Sequence, residues 1–262
     1  MHTASPSPFR FEAEGRTGSV MAHGPNEDAF GVFPHLGLFV IADGMGGYGA
    51  GDEASRLAVT ALEEHFERTR AAREVPSPLP AGASQDRDED RLLAGVLLAN
   101  RRIFEAGAGD VRKRGLGATI AALSLTGGGA HLAHAGDCRI YLLRGERLQS
   151  LTRDHSLVNE YQRYKLDITP EELAQLPRNI VTRALGVGEK PKIELQRVEP
   201  TAGDVYLLCT DGLHEVLEEA EILALLRERP AAGAAAEALV ARALQRGGMD
   251  DITCVLVRLL AR

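Results

Sequence analysis

Two Asp-Gly dipeptides follow apolar runs in this sequence. Asp43-Gly44 comes after Val-Ile-Ala, and Asp211-Gly212 comes after Leu-Cys-Thr. An Asp-Gly after a strand is most often a hairpin turn, but helix-like sequence follows both dipeptides here, where a hairpin needs a returning strand. Asp250-Asp251 stands in the mirror arrangement, directly before Ile-Thr-Cys-Val. The pattern predicts aspartates rooted at the ends of buried strands.

Such carboxylates have a definite chemistry if they converge. Partly desolvated carboxylates repel one another and are tolerable together when cations neutralise them. Ligand sets made only of oxygen select hard cations such as Mg²⁺ or Mn²⁺. Asn26-Glu27-Asp28, just ahead of an apolar strand, adds further acid. Spacing alone leaves both a metal site and a set of turn aspartates open.

Two other motifs suggest different chemistry, and the sequence argues against both. Residues 44–49 fit the dinucleotide pattern GxGxxG, but Asp43 would repel a pyrophosphate, and no second strand ends in an acid about twenty residues later. Residues 138–144 fit the cysteine-phosphatase pattern C-x5-R, but they alternate like a strand, where a phosphate cradle must be a loop. Asp137 beside Cys138 would also raise the pKa of the thiol.

The composition is that of an ordinary soluble globular protein. Of 262 residues, 44% are apolar and 26% charged, and the formal net charge is −7, which supplies no basic surface for nucleic acid. We find no apolar run long enough to span a membrane and no signal core at the N-terminus, so we expect a cytoplasmic protein with no membrane partner. The three cysteines form no CxxC pair and are predicted to be free thiols.

The order of predicted elements indicates an α+β fold. Strands precede residue 44, and two helices follow, over 52–73 and from about 90 to 114, joined by a Pro- and acid-rich stretch that we expect to be a solvated loop over 75–90. Four short strands lie between 115 and 152. Two more strands, two helices (218–229 and 232–246) and a last strand complete the chain. This order predicts a single domain, an antiparallel β-sandwich between helical layers.

Eight motifs in order resemble those of the PPM/PP2C metal-dependent phosphatases, in their bacterial branch. They run over nearly the whole chain, from about residue 9 to 260, and are Asn26-Glu27-Asp28-Ala29, Asp43-Gly44-Met45-Gly46-Gly47, Gly117-Ala118-Thr119, Ala135-Gly136-Asp137-Cys138-Arg139, Leu151–Ser156, Asn179–Gly186, Thr210-Asp211-Gly212-Leu213 and Asp250-Asp251-Ile252-Thr253. The resemblance implies a single domain over 1–262, a four-layer α/β/β/α sandwich, with a variable flap over 156–180. It also implies hydrolysis of phosphoserine and phosphothreonine in proteins.

The resemblance also implies a role for each matching acid. Asp43 would bridge two Mn²⁺ or Mg²⁺ ions, Asp211 and Asp250 would complete the first, and Glu27 and the Gly44 carbonyl would face the second, partly through water. Asp28 would orient those waters. Asp137 would hold a weaker third ion beside Asp211. A water bridging two cations has a strongly lowered pKa and can attack phosphorus directly.

Two departures from the family pattern bear on substrate binding. The family's phosphate-binding arginine is absent between Arg16 and Asn26, where His23 stands as a candidate phosphate contact; a loop histidine with no special role is the alternative. Met45 occupies the place of a histidine proposed as general acid in many eukaryotic relatives, and a thioether cannot donate that proton.

The missing arginine keeps a rival function open. The chain could be a regulatory binding module that kept the fold and lost turnover, although retention of Asp28, Asp43, Asp211 and Asp250 argues for an active enzyme. As partners the resemblance implies phosphorylated proteins, including a cognate serine/threonine kinase and its substrates. We expect a monomer.

Overall fold

The computed structural model of the protein describes residues 10–19, 25–71, 86–164, 168–177 and 180–260. Its strands form two five-stranded antiparallel sheets. One sheet has the order β1 (Arg10–Gly18), β10 (Ile252–Leu260), β9 (Val205–Cys209), β6 (Arg139–Arg144) and β7 (Arg147–Ser150). The other has the order β2 (Asp28–Phe33), β3 (Leu38–Met45), β4 (Gly117–Thr126), β5 (Gly129–Ala135) and β8 (Glu194–Val198).

Helices cover the outer face of each sheet. On the β3 side lie α1 (Gly51–Thr69) and α2 (Arg87–Ala108), and on the β9 side lie α5 (Asp211–His214), α6 (Glu219–Glu228) and α7 (Ala232–Gln245). Two short helices, α3 (Leu157–Tyr164) and α4 (Pro170–Ala174), belong to the predicted flap. The predicted α/β/β/α sandwich is confirmed. No helix in the described ranges is long and apolar enough to cross a membrane.

Strand β3 explains why the sequence before Asp43 is uninterruptedly apolar. Successive side chains of a strand point to opposite faces of its sheet. Leu38, Val40 and Ala42 pack in the core beneath α1 and α2, whereas Phe39 and Ile41 pack between the two sheets. Both faces of the strand are therefore dry, and the chain reaches the end of the sandwich with Asp43 held in a fixed register.

The start of α2 corrects one prediction from the sequence. The helix begins at Arg87, because the Asp86 side chain accepts hydrogen bonds from the backbone N–H groups of Asp88 and Glu89 and so caps it. The loop predicted over 75–90 therefore ends before residue 87, and residues 72–85 lie outside the described part of the chain. At its other end α2 stops at Ala108, short of the predicted Arg114.

Candidate metal centre

The predicted aspartates meet at one end of the sandwich. Asp28 and Asp43 are direct cross-strand partners, because β2 begins where β3 ends. Asp211 is the first residue of α5, immediately after β9, and Asp250 lies just before β10. Asp137 occupies the turn between β5 and β6. Each sheet therefore contributes to the same group of carboxylates, as the strand-end pattern predicts.

A hydrogen-bond network fixes Asp28 between the two sheets. The Thr210 hydroxyl donates to Asp28 Oδ2 at 2.9 Å, and the Asp28 backbone N–H donates to Asn26 Oδ1 at 2.9 Å. The Thr210 hydroxyl oxygen in turn accepts from the Thr253 backbone N–H at 3.1 Å. Asp28 is thus locked to β9 and β10 although it belongs to the opposite sheet.

Glu27 and Gly44 form a close backbone contact with the start of α1. The Gly44 N–H donates to the Glu27 carbonyl at 3.0 Å, and the Gly51 N–H donates to Glu27 Oε1 at 3.1 Å. A Cβ on Gly44 would overlap the Gly51 carbonyl, so only glycine fits this approach. The Glu27 backbone N–H donates to Asp251 Oδ2 at 2.8 Å, which ties this corner to β10.

The carboxylates raise the pKa of one another. Burial, reinforced by the neighbouring carboxylates, raises the pKa of Asp28 and of Asp43 well above the ordinary value. The same two causes raise the pKa of Asp211 to about 7 and that of Asp137 to about 6, and burial raises the pKa of Glu27. Negative charge is therefore concentrated here beyond what the protein itself neutralises.

The donor set fits divalent cations. Asp137 Oδ1, Asp211 Oδ1 and Asp251 Oδ1 are buried without a hydrogen-bond partner among the described residues. Buried unpaired carboxylate oxygens are costly unless a cation contacts them. Ligands that are all oxygen suit Mg²⁺ or Mn²⁺. Asp28, Asp43 and Glu27 supply the same kind of donor from the opposite sheet.

Among the described residues, a tighter group of three potential ligands exists, but it contains histidine. The ligand atoms of His134, His155 and Glu194 all lie within 4.8 Å of one another. No three strand-end carboxylates of the described residues meet the same distance limit. The hydrogen bonds of the histidine group, described below, argue against a metal there.

Two histidines near Asp137 were not predicted from the sequence. His214 of α5 donates from Nε2 to the Asp137 carbonyl at 2.9 Å, and His155 contacts both polar backbone groups of Gly136. Both act on the backbone of the turn, a role that residue type and spacing do not reveal. His214 lies three residues after Asp211, which is the one signal that could have suggested its proximity.

The structure also tests the two rejected motifs. In the GxGxxG stretch, the N–H at the start of α1 is taken by Glu27, so no phosphate is cradled there. Cys138 is buried beside Thr119, with Oγ1 and Sγ 3.0 Å apart, and burial raises the pKa of its thiol well above the ordinary value. Residues 139–144 are strand β6. Both rejections are confirmed, and all three cysteines are free. His23 lies outside the described residues, so its role stays a prediction.

Comparison with known proteins agrees with the geometry. The sequence pattern of the family Protein phosphatase 2C matches residues 19–257. The serine/threonine phosphatase stp of Listeria innocua is 33% identical over 249 residues, which cover 94% of each chain. The S. agalactiae serine/threonine phosphatase aligns with a TM-score of 0.81 at 31% identity, over 95% of this chain and 99% of that one.

A further solved structure is of the catalytic domain of the phosphatase PstP in complex with two manganese ions. It aligns with a TM-score of 0.77 at 30% identity, over 95% of this chain and 98% of that one. The family match extends from before Glu27 to beyond Asp250, and so includes every acid of the centre. The chain belongs to the protein phosphatase 2C family and is a protein phosphatase.

Proposed function

We propose that the protein hydrolyses phosphoserine and phosphothreonine in proteins with divalent cations held at the strand-end carboxylates. The observation that carries this proposal is the group of partly buried acids with raised pKa values and unpaired oxygens. Mn²⁺ or Mg²⁺ bound there would supply a water of lowered pKa and would offset charge on the phosphoryl oxygens.

The positions of the residues suggest a separate role for each in binding the cations. Asp43 lies between the two sheets and would be the ligand shared by two ions; Asp211 and Asp250 would help to hold one of them, and Glu27 and the Gly44 carbonyl the other. Asp28 is held by Thr210 and would orient water beside the cations. Asp137 and Asp211 together would hold a weaker third ion.

The test is hydrolysis of p-nitrophenyl phosphate and of a phosphothreonine peptide with Mn²⁺, with Mg²⁺ and after exhaustive chelation. Activity is expected to need the cation in both assays. For the Asp→Asn variants of the carboxylate group, Glu146→Gln is a matched control that also removes one negative charge. The Glu146 carboxylate is 85% exposed and pairs with Arg227 at the surface. Turnover that survives chelation would exclude the mechanism. Cation binding without turnover would favour the regulatory module instead.

We also propose that a cognate serine/threonine kinase produces the substrates and that the protein acts as a monomer in the cytoplasm. The supporting observation for a reducing compartment is that Cys209 and Cys254 are cross-strand partners and yet remain free thiols. Light scattering on a sizing column tests the monomer, and thiol labelling of the protein in intact cells tests the compartment.

His23 is proposed to contact the substrate phosphate in place of the family's arginine. A single imidazole donor lacks the bidentate grip of a guanidinium, so we expect a high KM for small phosphate esters. His23→Ala should raise KM further, most clearly at pH 6.5, where more of the imidazole is cationic than at pH 8.5. His23→Arg should lower KM. An unchanged KM in His23→Ala at both pH values would make the histidine a bystander.

A further inference from the structure

One buried histidine holds the turn that carries Asp137. The backbone N–H of His155 donates to the Gly136 carbonyl at 2.8 Å, and the Gly136 N–H donates to His155 Nδ1 at 3.1 Å. Both polar backbone groups of Gly136 are therefore satisfied by a single residue. His155 is 4% exposed, so water does not compete for either bond.

The backbone at Gly136 cannot be held in place by its own preferences. Its φ is +112°, a region that residues with a Cβ rarely adopt, and a Cβ there would overlap the side chain of Thr119. Glycine permits this conformation but does not enforce it. The two hydrogen bonds from His155 supply the restraint, and the direction in which the Asp137 carboxylate leaves the turn depends on it.

The hydrogen bonds also define the protonation of the imidazole. Because Nδ1 accepts from Gly136, the proton of the neutral ring sits on Nε2, which donates to Glu194 Oε2 at 3.0 Å. Burial lowers the pKa of His155, which keeps the ring neutral. Arg183 Nη1 lies 3.0 Å from the same Nε2 but cannot donate to a protonated nitrogen; its guanidinium pairs with Glu160 at 3.3 Å.

This tautomer argues against a metal in the His134, His155 and Glu194 group. A metal needs the free electron pair of Nε2, and that nitrogen carries the proton. A guanidinium at 3.0 Å would also repel a cation. His134 stacks on His155 with ring centroids 4.2 Å apart and fixes the plane of the ring. The group is therefore a hydrogen-bonded support for the turn.

His155 connects this turn to the base of the flap as well. Its carbonyl accepts from the Thr182 backbone N–H at 2.7 Å and from the Thr182 hydroxyl at 3.0 Å. Next to it, Ser156 and Val181 form a β-bridge that closes the two ends of the flap on each other. His155 thus links the base of the flap to the turn that carries Asp137.

We propose that His155 is a positioning residue for the cation held by Asp137, acting through the hydrogen bond between its Nδ1 and Gly136. The inference rests on the proposed function, which makes Asp137 a metal ligand. Loss of a hydrogen-bond partner of a metal ligand itself typically costs about 10- to 100-fold in metal affinity. Because His155 bonds the residue before the ligand, a loss at the low end of this range is expected for the weakest bound cation.

Two substitutions separate the two sides of the ring. His155→Asn keeps an acceptor where Nδ1 lies and loses the Nε2 donor, whereas His155→Gln keeps a donor near the Nε2 position and loses the acceptor. Calorimetric titration of Mn²⁺ into the metal-free protein is the main readout, and the Mn²⁺ dependence of p-nitrophenyl phosphate hydrolysis is the second. Circular dichroism establishes that both variants are folded.

We expect His155→Asn to bind the weakest Mn²⁺ within about threefold of wild type and His155→Gln to bind it at least about tenfold more weakly. Asp137→Asn is the reference, and adding His155→Gln to it should cause no further loss. The opposite order of the Asn and Gln variants, or equal affinity in both, would overturn the proposal.

The reference variant separates failure of this proposal from failure of the function. If Asp137→Asn weakens the last cation but His155→Gln does not, the positioning role alone is wrong. If Asp137→Asn leaves every Mn²⁺ affinity unchanged, the ligand assignment is wrong, and the positioning role falls with it. If wild type neither binds Mn²⁺ nor needs it for turnover, the proposed function itself is wrong.

Discussion

The two Asp-Gly dipeptides look alike in the sequence but are held in different ways. Asp43 remains inside strand β3, paired with Asp28 on one side and Thr119 on the other. Asp211 has left its strand and opens α5, a helix of four residues. Both glycines are required for the same reason, since a Cβ on Gly44 would overlap the Gly51 carbonyl and a Cβ on Gly212 would overlap that of Asp251.

The difference teaches how each acid tolerates its charge. Asp43 sits between two sheets, and burial, followed by the charge of Asp28, raises the pKa of Asp43 well above the ordinary value. Asp211 gains some relief from the N–H of Gly212, and its pKa rises only to about 7. A rigid strand end thus suits the ligand shared by the first and second cations, and a helix start suits Asp211, which would bind only the first of those two.

Asp43→Asn should have the largest effect on turnover. A carbonyl oxygen of lower charge at the bridging position weakens both cations at once, so kcat for p-nitrophenyl phosphate is expected to fall roughly a thousandfold or more, about 4 kcal/mol. Added Mn²⁺ should not recover it. Glu146→Gln serves as the charge-matched control. Near-normal rates in Asp43→Asn would show that Asp43 is not a ligand of the cations.

Asp211→Asn should have a smaller effect of a different kind. The first cation would lose one ligand and the weaker third ion another, while the second cation would keep its ligands, so we expect a loss on the order of a hundredfold that excess Mn²⁺ partly reverses. The measurement is kcat against Mn²⁺ concentration for both Asn variants under the same conditions. If the two variants respond identically to Mn²⁺, the proposed distinction between Asp43 as the shared ligand and Asp211 fails.

The same comparison predicts how the metal-free protein responds to pH. A carboxyl group whose pKa is raised by folding binds more protons in the folded state, so stability falls as pH rises from its unfolded pKa towards its folded value. For Asp211 this window runs from 3.8 to about 7. Above about pH 7, the free energy of unfolding of Asp211→Asn should exceed that of the wild type by an amount on the order of a few kcal/mol.

The gain should shrink to less than about 1 kcal/mol at pH 4, where Asp211 is protonated in the folded state and about half protonated in the unfolded state. Urea unfolding of the wild type and of Asp211→Asn in chelator, at pH 4, 6 and 8, measures it. Taking the difference between the two proteins cancels the buried histidines, whose depressed pKa values act in the opposite direction. Saturating Mn²⁺ at pH 8 should reverse the order. A constant difference at all three pH values would contradict the argument.

The sequence predicted the layers and the acids better than the supports around them. Apolar runs and strand ends are local patterns, and they placed Asp43 and Asp211 together because Asp43 lies near the end of one buried strand and Asp211 just past the end of another. The start of α2 was placed too late because Asp86 was read as part of an acidic loop, where it caps the helix. His155 and His214 act through backbone groups distant in sequence, and no local pattern encodes such contacts.

Cys138→Ser should have the smallest effect on activity. It tests how Asp43, the aspartate within strand β3, is supported by its neighbours. Its sulfur contacts the hydroxyl of Thr119, the cross-strand partner of Asp43, at 3.0 Å. A serine hydroxyl can make the same hydrogen bond. Activity should stay within about threefold of wild type, since one buried neutral hydrogen bond replaces another.

Cys138→Val is the control, because it fills the site with a slightly larger apolar side chain and removes the hydrogen bond to Thr119. If Thr119 supports Asp43 through this contact, Cys138→Val should lose more activity than Cys138→Ser, and both should remain folded. A serine variant that is folded, binds Mn²⁺ and yet is inactive would give the thiol a chemical role. Its burial and raised pKa speak against that role, because a protonated thiol is a poor nucleophile.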